Sequence, residues 1–190
     1  MSGIKQRLDD LKSLMQKADF LEGKGLSNEA NIRIFCYDAT DEMTVKYFID
    51  QIVTDQALTC NLVEWDLYKI FLQACEKLGI LDAIVEMEKD DGSKYLLEQL
   101  HAAIGEEEFI KTMKSRSYSH GDILFITGVG DVFPFMRVHT LLEALQPHFS
   151  DIPILVMYPG DFDKYSLRLF NLLRPNDYYR AFNVIQGEIK

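Results

Sequence analysis

The stretch DILFITGVGDVFPFMRVHTLLEAL, residues 122–145, joins an apolar run to a glycine-rich turn and then to apolar residues with helical spacing. An unbroken apolar run of this length is typical of a strand covered on both faces. The two glycines permit a tight turn directly after that strand. The stretch therefore predicts a strand over 122–127 and a mostly helical segment over 138–149. This order of elements indicates an α/β fold.

The rest of the chain continues the alternation of strands and helices. Apolar runs and helical spacing predict strands over 32–38, 60–67, 152–158 and 178–185, and helices over 2–21, 41–56 and 164–173. Such alternation favours a parallel sheet with helices on both faces. The predicted fold class is therefore a three-layer αβα arrangement around a mostly parallel five-stranded sheet. In outline it is P-loop-like or Rossmann-like.

The middle of the chain has a different character. Residues 68–118 favour helix nearly throughout, with interruptions at Gly79, at residues 90–93 and at Gly105. This is more helix than one connection between neighbouring parallel strands requires. We interpret residues 68–118 as a helical insertion of three or four helices within a single α/β domain that spans residues 1–190.

Composition excludes several classes of protein. The chain has 20 basic and 30 acidic residues and a formal net charge of −10, which disfavours direct nucleic-acid binding by the protein alone. No apolar run is long enough to span a membrane, and charges throughout the first twenty residues argue against a signal peptide. Cys36, Cys60 and Cys75 lack CxxC spacing and indicate buried, reduced thiols. We therefore expect a cytoplasmic protein.

The glycine-rich turn resembles a nucleotide site but lacks its essential residues. A dinucleotide fingerprint needs a third glycine where this chain has Phe133, and no GxxxxGK[ST] run is present. The sequence therefore predicts no nucleotide cofactor. Gly128 and Gly130 are interpreted as residues of a tight turn, with Asp131 capping the following helix and Pro134 in its first turn.

Acidic residues follow the predicted strands and allow two interpretations. Asp38, Asp131, Asp161 and Asp163 all lie just beyond strand ends, where open α/β sheets bind ligands. Grouped together they could hold Mg²⁺ for a phosphohydrolase or nuclease. Aspartate is equally a preferred residue of turns and helix caps. No metal ligand or catalytic residue is assigned from the sequence, and both interpretations stay open.

Arginine and tyrosine are concentrated in the last third of the chain. Apolar spacing places Arg137 away from the helix core, Arg168 away from buried leucines, and Tyr178 and Arg180 on one face of the last strand. Tyrosine and arginine often anchor protein interfaces. The alternative is that these arginines pair internally with aspartates such as Asp131. The sequence supports the two interpretations about equally.

The segments FITGVGDVFPFMRVHTLLEALQP, IPILVMYPGDFD, LRLF and DYYRAF resemble the BrxB family of bacteriophage-exclusion (BREX) defence systems. The similarity extends over nearly the whole chain. It implies a cytoplasmic bacterial protein of an anti-phage system that also includes a methyltransferase, an ATPase and the alkaline-phosphatase-like protein PglZ.

The resemblance implies no established reaction, catalytic residue or cofactor. It implies an accessory, non-catalytic adaptor with PglZ and other BREX components as partners, and it is compatible with a homo-oligomer. A metal-dependent phosphohydrolase or nuclease and a nucleic-acid-binding subunit of the complex are the alternatives. The candidate partner-binding or motif positions are Gly128, Gly130, Asp131, Arg137, His139, Tyr158, Pro159, Gly160, Arg168, Tyr178, Tyr179 and Arg180.

Overall fold

The computed structural model describes residues 3–22, 31–163, 165–173, 176–177 and 182–185. In these ranges the α-helices are α1 (Ile4–Leu14), α2 (Ala18–Leu21), α3 (Glu42–Ile52), α4 (Leu67–Lys77), α5 (Ile84–Ala103), α6 (Glu106–Met113), α7 (Val129–Val132) and α8 (Val138–Leu145). Short 3-10 helices lie at Ala39–Asp41, Leu81–Ala83 and Gln146–His148. The strands are β1 (Ile32–Tyr37), β2 (Asn61–Asp66), β3 (Asp122–Thr127), β4 (Ile154–Phe162), β5 (Ser166–Leu169), β6 (Asn176–Asp177) and β7 (Phe182–Asn183).

The strands form one sheet whose main path has the order β2-β3-β4-β1-β7. Every neighbouring pair along this path is parallel. The carboxyl ends of β1, β3 and β4 therefore meet at one edge of the sheet, which is where open α/β sheets bind ligands. The prediction of a mostly parallel five-stranded sheet is confirmed.

Side-chain alternation along the central strands divides the core between the two faces of the sheet. On β3, Phe125 packs with α1 and α3, whereas Leu124 and Ile126 pack with α4, α6 and α8. Each face needs its own layer of helices because both sets of side chains are apolar and buried. The predicted three-layer αβα arrangement is confirmed.

The predicted strands agree with the structure to different degrees. The strand predicted over 122–127 has the same bounds as β3, and those predicted over 32–38 and 60–67 contain β1 and β2. The strand predicted over 152–158 corresponds to β4, which runs on to Phe162. In the region of the last predicted strand, the structure has β7 beside β1. Residues 178–181 lie outside the described residues.

The helix predicted over residues 164–173 is wrong. Ser166–Leu169 is instead strand β5, antiparallel to the end of β4, with Phe162 opposite Leu167. The period-two alternation of buried Leu167, exposed Arg168 and buried Leu169 favours a strand over this short span. The end of β4 extends past the parallel sheet, and its free hydrogen-bonding edge accepts β5. The result is a β-hairpin of β4 and β5.

The helical middle of the chain is present where the sequence predicts it. It contains α4, α5 and α6, and the backbone of α5 departs from helical angles at Gly92, within the predicted break at 90–93. Leu67, Leu96 and Phe109 from these helices pack into the core on one face of the sheet. The described part of the chain includes no helix long and apolar enough to cross a membrane.

Candidate functional site

The glycine turn after β3 is packed against protein rather than open to a ligand. Gly128 has φ +69°, a left-handed conformation that glycine adopts without strain. A Cβ at this position would lie 2.5 Å from an Asp66 carboxylate oxygen. That carboxylate accepts hydrogen bonds from the backbone N–H groups of Tyr68 and Lys69 and caps α4. The turn thus faces a carboxylate, which repels phosphate.

The predicted role of Asp131 as a helix cap is wrong. Gly128 is the N-cap residue of the four-residue helix α7, and the Asp131 carboxylate instead forms an ion pair with Lys46 on α3 at 2.8 Å. Glu42 also lies near this ammonium, at 3.6 Å, and accepts a hydrogen bond from the Tyr37 hydroxyl. The hydrogen bond that the Lys46 ammonium donates to Asp131 is the main cause that raises the pKa of Lys46. This group ties α3 on one face of the sheet to the turn after β3.

Pro134 does not lie in the first turn of a helix as predicted. Helix α7 ends at Val132, and the Phe133–Pro134 peptide bond is cis. The His101 ring nitrogen Nε2 lies 2.8 Å from the Pro134 carbonyl oxygen. Residues 133–137 therefore form a separate connection between α7 and α8.

The four aspartates of the proposed metal site do not form one site. The Asp38 carboxylate accepts hydrogen bonds from the N–H and hydroxyl of Thr40, and Asp163 accepts bonds from the N–H groups of Tyr165 and Ser166. These hydrogen bonds lower the pKa of both carboxyl groups. Asp131 is paired with Lys46, as described above.

Asp161 is the fourth of these aspartates, and it lies on β4 within the hairpin. It lies opposite Arg168 in the register of β4 and β5. Within the described residues, no three histidine, cysteine or carboxylate side chains are grouped so that they could hold a metal ion. The structure therefore gives turn or capping roles to Asp38 and Asp163, an ion pair to Asp131 and a strand position to Asp161.

The three cysteines are buried, as the sequence predicts, and none is paired with another. Burial is the first cause that raises the pKa of each thiol, and it raises the pKa of Cys36 to about 12. Because only the thiolate is a strong nucleophile, these cysteines are poor candidates for covalent catalysis.

Several of the motif positions pack the hairpin against the glycine turn. A Cβ on Gly130 would lie 3.1 Å from both the Pro159 ring and the Phe170 ring. The N–H of Phe170 donates a hydrogen bond to the Pro159 carbonyl oxygen at 2.8 Å. A Cβ on Gly160 would collide with the Arg168 carbonyl oxygen. These residues therefore have a structural role that requires small or rigid residues.

Three other motif positions meet at a cavity of about 480 Å³ between the hairpin and the start of α8. Arg137, His139 and Tyr158 all line it. Arg137 is exposed and lies at the rim, whereas Tyr158 on β4 is only 2% exposed. The apolar lining comes from residues after β3 and from the hairpin: Val129, Phe133, Met136, Val138, Leu167, Leu169 and Leu173.

Burial and charge shift the pKa values of two residues in this cavity. Burial, and after it the neighbouring positive charge of Arg137, lowers the pKa of His139. Burial also raises the pKa of Tyr158, so its hydroxyl stays protonated at neutral pH. The cavity thus presents a permanent cation, a neutral imidazole and a phenolic donor.

Sequence reasoning identified these three polar residues but missed much of their surroundings. It did not identify Lys46, although Glu42 and Lys46 have the i,i+4 spacing of a helix ion pair. Leu167 and Leu169, which line the cavity from the hairpin, were missed because residues 164–173 were predicted to be helical. Tyr178, Tyr179 and Arg180 lie outside the described residues.

Comparisons with known proteins agree on one family. The family model described as "BREX protein BrxB" matches residues 63–184, which include the glycine turn, the cavity and the hairpin. A BREX protein BrxB of Bacillus cereus (strain H3081.97) is 34% identical over 97% of this chain and 99% of its own length. A BREX protein BrxB of Escherichia coli O9:H4 (strain HS) is 27% identical over 96% of this chain and 92% of its own length. No solved structure matches the chain.

Proposed function

The chain belongs to the BrxB family of BREX phage-defence proteins, and on that premise we propose that it is a non-catalytic adaptor. In this role it docks to PglZ through the β4–β5 hairpin. PglZ is chosen because the family resemblance implies it as a component of the same systems. The assembly of a defence complex requires exposed contact surfaces rather than a reaction centre.

The observation that carries this proposal is that Arg168 is exposed and forms no ion pair with a described residue. Its side chain is exposed on the outer face of β5. Arg168 lies opposite Asp161, yet the described part of the chain contains no ion pair to its guanidinium. Arginine is enriched at the energetic centres of protein interfaces, where its five donors can be satisfied by a partner. Its charge is the last of the causes that lower the pKa of Asp163, after the hydrogen bonds from Tyr165 and Ser166, so its internal interaction is a weak attraction rather than an ion pair.

Two large exposed side chains flank β5 in the sequence, Tyr165 just before it and Leu172 three residues after it. Tyr165 is 72% exposed and Leu172 is 86% exposed. Aromatic residues and arginine are the types enriched at the centres of interfaces. We define the exposed side chains of Tyr165, Arg168 and Leu172 as the hairpin surface.

The alternative functions have weaker support. A metal-dependent phosphohydrolase or nuclease needs grouped carboxylates, and here Asp38, Asp131 and Asp163 are engaged by local turns or by Lys46. A nucleic-acid-binding subunit needs a basic surface, and the net charge of −10 disfavours one.

The test is co-purification of the full chain with PglZ from the same defence system. We expect a complex at micromolar concentration, and we expect Arg168→Ala to weaken it by about tenfold or more. Arg116→Ala is the matched control, because Arg116 is also an exposed arginine but lies before β3, at the opposite edge of the sheet.

Two outcomes would contradict the adaptor proposal. The first is clean separation of the two wild-type proteins at micromolar concentration. The second is equal loss of the complex in both arginine variants, which would indicate a non-specific charge effect. If Arg168→Ala instead lowers the urea midpoint of the free chain, the arginine stabilises the hairpin and the surface assignment is wrong.

A further inference from the structure

The cavity between the hairpin and α8 carries a charge bias opposite to that of the whole chain. The protein has a net charge of −10, yet none of the described residues that line the cavity is acidic. The charged side chain in its lining is Arg137, with the ionisable His139 beside it. Carboxylates lie outside this lining: Asp161 raises the pKa of Tyr158, and Glu143 and Glu106 raise that of His139, each by less than burial shifts it. A donor-rich lining without carboxylates of its own favours an anionic group.

Helix α8 adds to this bias. It begins at Val138, and its N-cap residue, Arg137, provides no side-chain hydrogen bond to the first turn. Val138 and His139, the first two residues of the helix, line the cavity. The first-turn N–H groups of a helix have no partner within the helix and carry a partial positive charge. They are a suitable binding site for an oxyanion.

Tyr158 is an independent observation that points to the same conclusion. Its side chain is 98% buried and lines the cavity, but its hydroxyl has no hydrogen-bond partner among the described residues. The hydroxyl oxygen is not one of the described side-chain atoms that are both completely buried and without a hydrogen-bond partner. Part of its surface is therefore accessible from the cavity. A buried polar group without a partner is costly, and such groups mark sites that a ligand or water completes.

We propose that this cavity binds a small organic oxyanion, a carboxylate or a phosphate monoester, attached to an apolar body. The Arg137 guanidinium and the first turn of α8 bind the charged group, and the Tyr158 hydroxyl donates a hydrogen bond to the ligand. The apolar body packs against Met136, Leu167 and Leu169. A volume of about 480 Å³ suits a small molecule of this kind. This inference goes beyond the adaptor role and does not depend on it.

The test is a titration of the full chain with four simple probes, followed by NMR of labelled methyl groups. Phenyl phosphate and phenylacetate carry both an anion and an apolar body. Inorganic phosphate lacks the body, and benzyl alcohol lacks the charge. The methyl groups of Met136, Leu167 and Leu169 report on the cavity, and those of Leu11 and Ile49 in the opposite core are the internal control.

We expect at least one of the two amphipathic anions to shift the cavity methyl groups, with a Kd in about the millimolar range. Inorganic phosphate and benzyl alcohol should bind about tenfold more weakly or worse. Preference for phenyl phosphate over phenylacetate would identify a phosphate monoester as the natural group, and the reverse preference would identify a carboxylate.

Two variants test the assigned contacts. Arg137→Met and Tyr158→Phe should each weaken binding of the preferred probe by about fivefold or more, with the urea midpoint unchanged. Arg116→Met is the matched control and should bind the probe like the wild type. If Arg137→Met fails to fold, Tyr158→Phe, which removes one oxygen atom, decides alone.

Three results would overturn this proposal. One is the absence of any shift at the cavity methyl groups with all four probes at about 10 mM. Another is binding that neither variant weakens. The third is a loss of probe binding in Arg116→Met as large as that in Arg137→Met, which would indicate a non-specific charge effect.

Discussion

The glycine turn after β3 and the cavity beside α8 lie in the same part of the molecule but differ in how completely their polar groups are satisfied. In the turn, Gly128 packs against the Asp66 carboxylate, which itself caps α4. In the cavity, the Tyr158 hydroxyl has no partner within the described residues, and the start of α8 has no side-chain cap. The comparison shows that a motif resembling a ligand site can be packed entirely against other parts of the protein. Nearby polar groups that come from separate segments can meanwhile lack partners and be able to bind a ligand.

The largest expected effect comes from filling the turn. Gly128→Ala should destabilise the protein by about 3 kcal/mol, because it adds a Cβ in the left-handed region and displaces the Asp66 cap. Gly79→Ala is the matched control, since Gly79 has φ +68° and open space around its added Cβ. It should cost only about 1–2 kcal/mol. Urea unfolding of both variants measures the difference, and equal losses would show that the turn is not packed as described.

A pair of tyrosines tests whether the Tyr158 hydroxyl in the cavity lacks a hydrogen-bond partner. The Tyr118 hydroxyl donates a hydrogen bond to the Met113 carbonyl oxygen and accepts one from Trp65, each at 2.8 Å. Tyr118→Phe should therefore cost about 1 kcal/mol of unfolding free energy. Tyr158→Phe should leave that free energy unchanged or raise it slightly, because no described group loses a partner. A loss at Tyr158 as large as that at Tyr118 would mean that its hydroxyl is already bonded.

The ion pair between Lys46 and Asp131 should contribute less than either of these. The two side chains are 43% and 41% exposed, so solvent screens their attraction. Lys46→Met should lower the unfolding free energy by about 0.5 kcal/mol. Lys94→Met, which removes a 4.0 Å pair from a lysine that is 94% exposed, should have no measurable effect. A double-mutant cycle with Asp131→Asn isolates the coupling free energy between the two side chains. A value of zero would show that this ion pair does not help to hold α3 against the turn after β3.

The smallest expected effect concerns the pH dependence of stability through His139. Burial and Arg137 lower its pKa, while Glu143 and Glu106 raise it by less, so the folded pKa lies below the ordinary value of 6.5. The unfolded chain then binds a proton at a pH where the folded chain does not. The stability contributed by His139 is present above pH 6.5 and is lost as the pH falls through the folded pKa.

His139→Gln removes this titration. Urea midpoints measured from pH 7 down to about pH 5 should fall more steeply for the wild type than for the variant. Parallel curves for the two proteins would show that His139 titrates in the folded state as it does in the unfolded chain.

Much of the fold could be predicted because its information is local. The apolar run of β3 and the alternating segments around it indicate buried strands without reference to the rest of the chain. The hairpin could not be predicted in the same way. The segment containing Ser166–Leu169 is short enough to match either a helical or a strand pattern, and the free edge of β4 decided between them.

The candidate site was only partly predictable. Arg137, His139 and Tyr158 could be singled out by residue type and by the segments in which they lie. Nothing local indicates that Leu167 and Leu169 form a wall beside them, or that Asp131 pairs with Lys46, 85 residues away along the chain. Such contacts depend on strand order, which the sequence pattern leaves open.

The sequence by itself determined the fold class, the helical middle and the absence of a phosphate-binding lysine from the glycine turn, because periodicity and residue type act over short stretches. The tertiary structure alone decided which polar groups are satisfied. Whether a polar group has a hydrogen-bond partner depends on the distances between groups from separate segments. The Asp66 carboxylate packs against the turn, whereas no described group is bonded to the hydroxyl of Tyr158. That difference separates the packed turn from the open cavity.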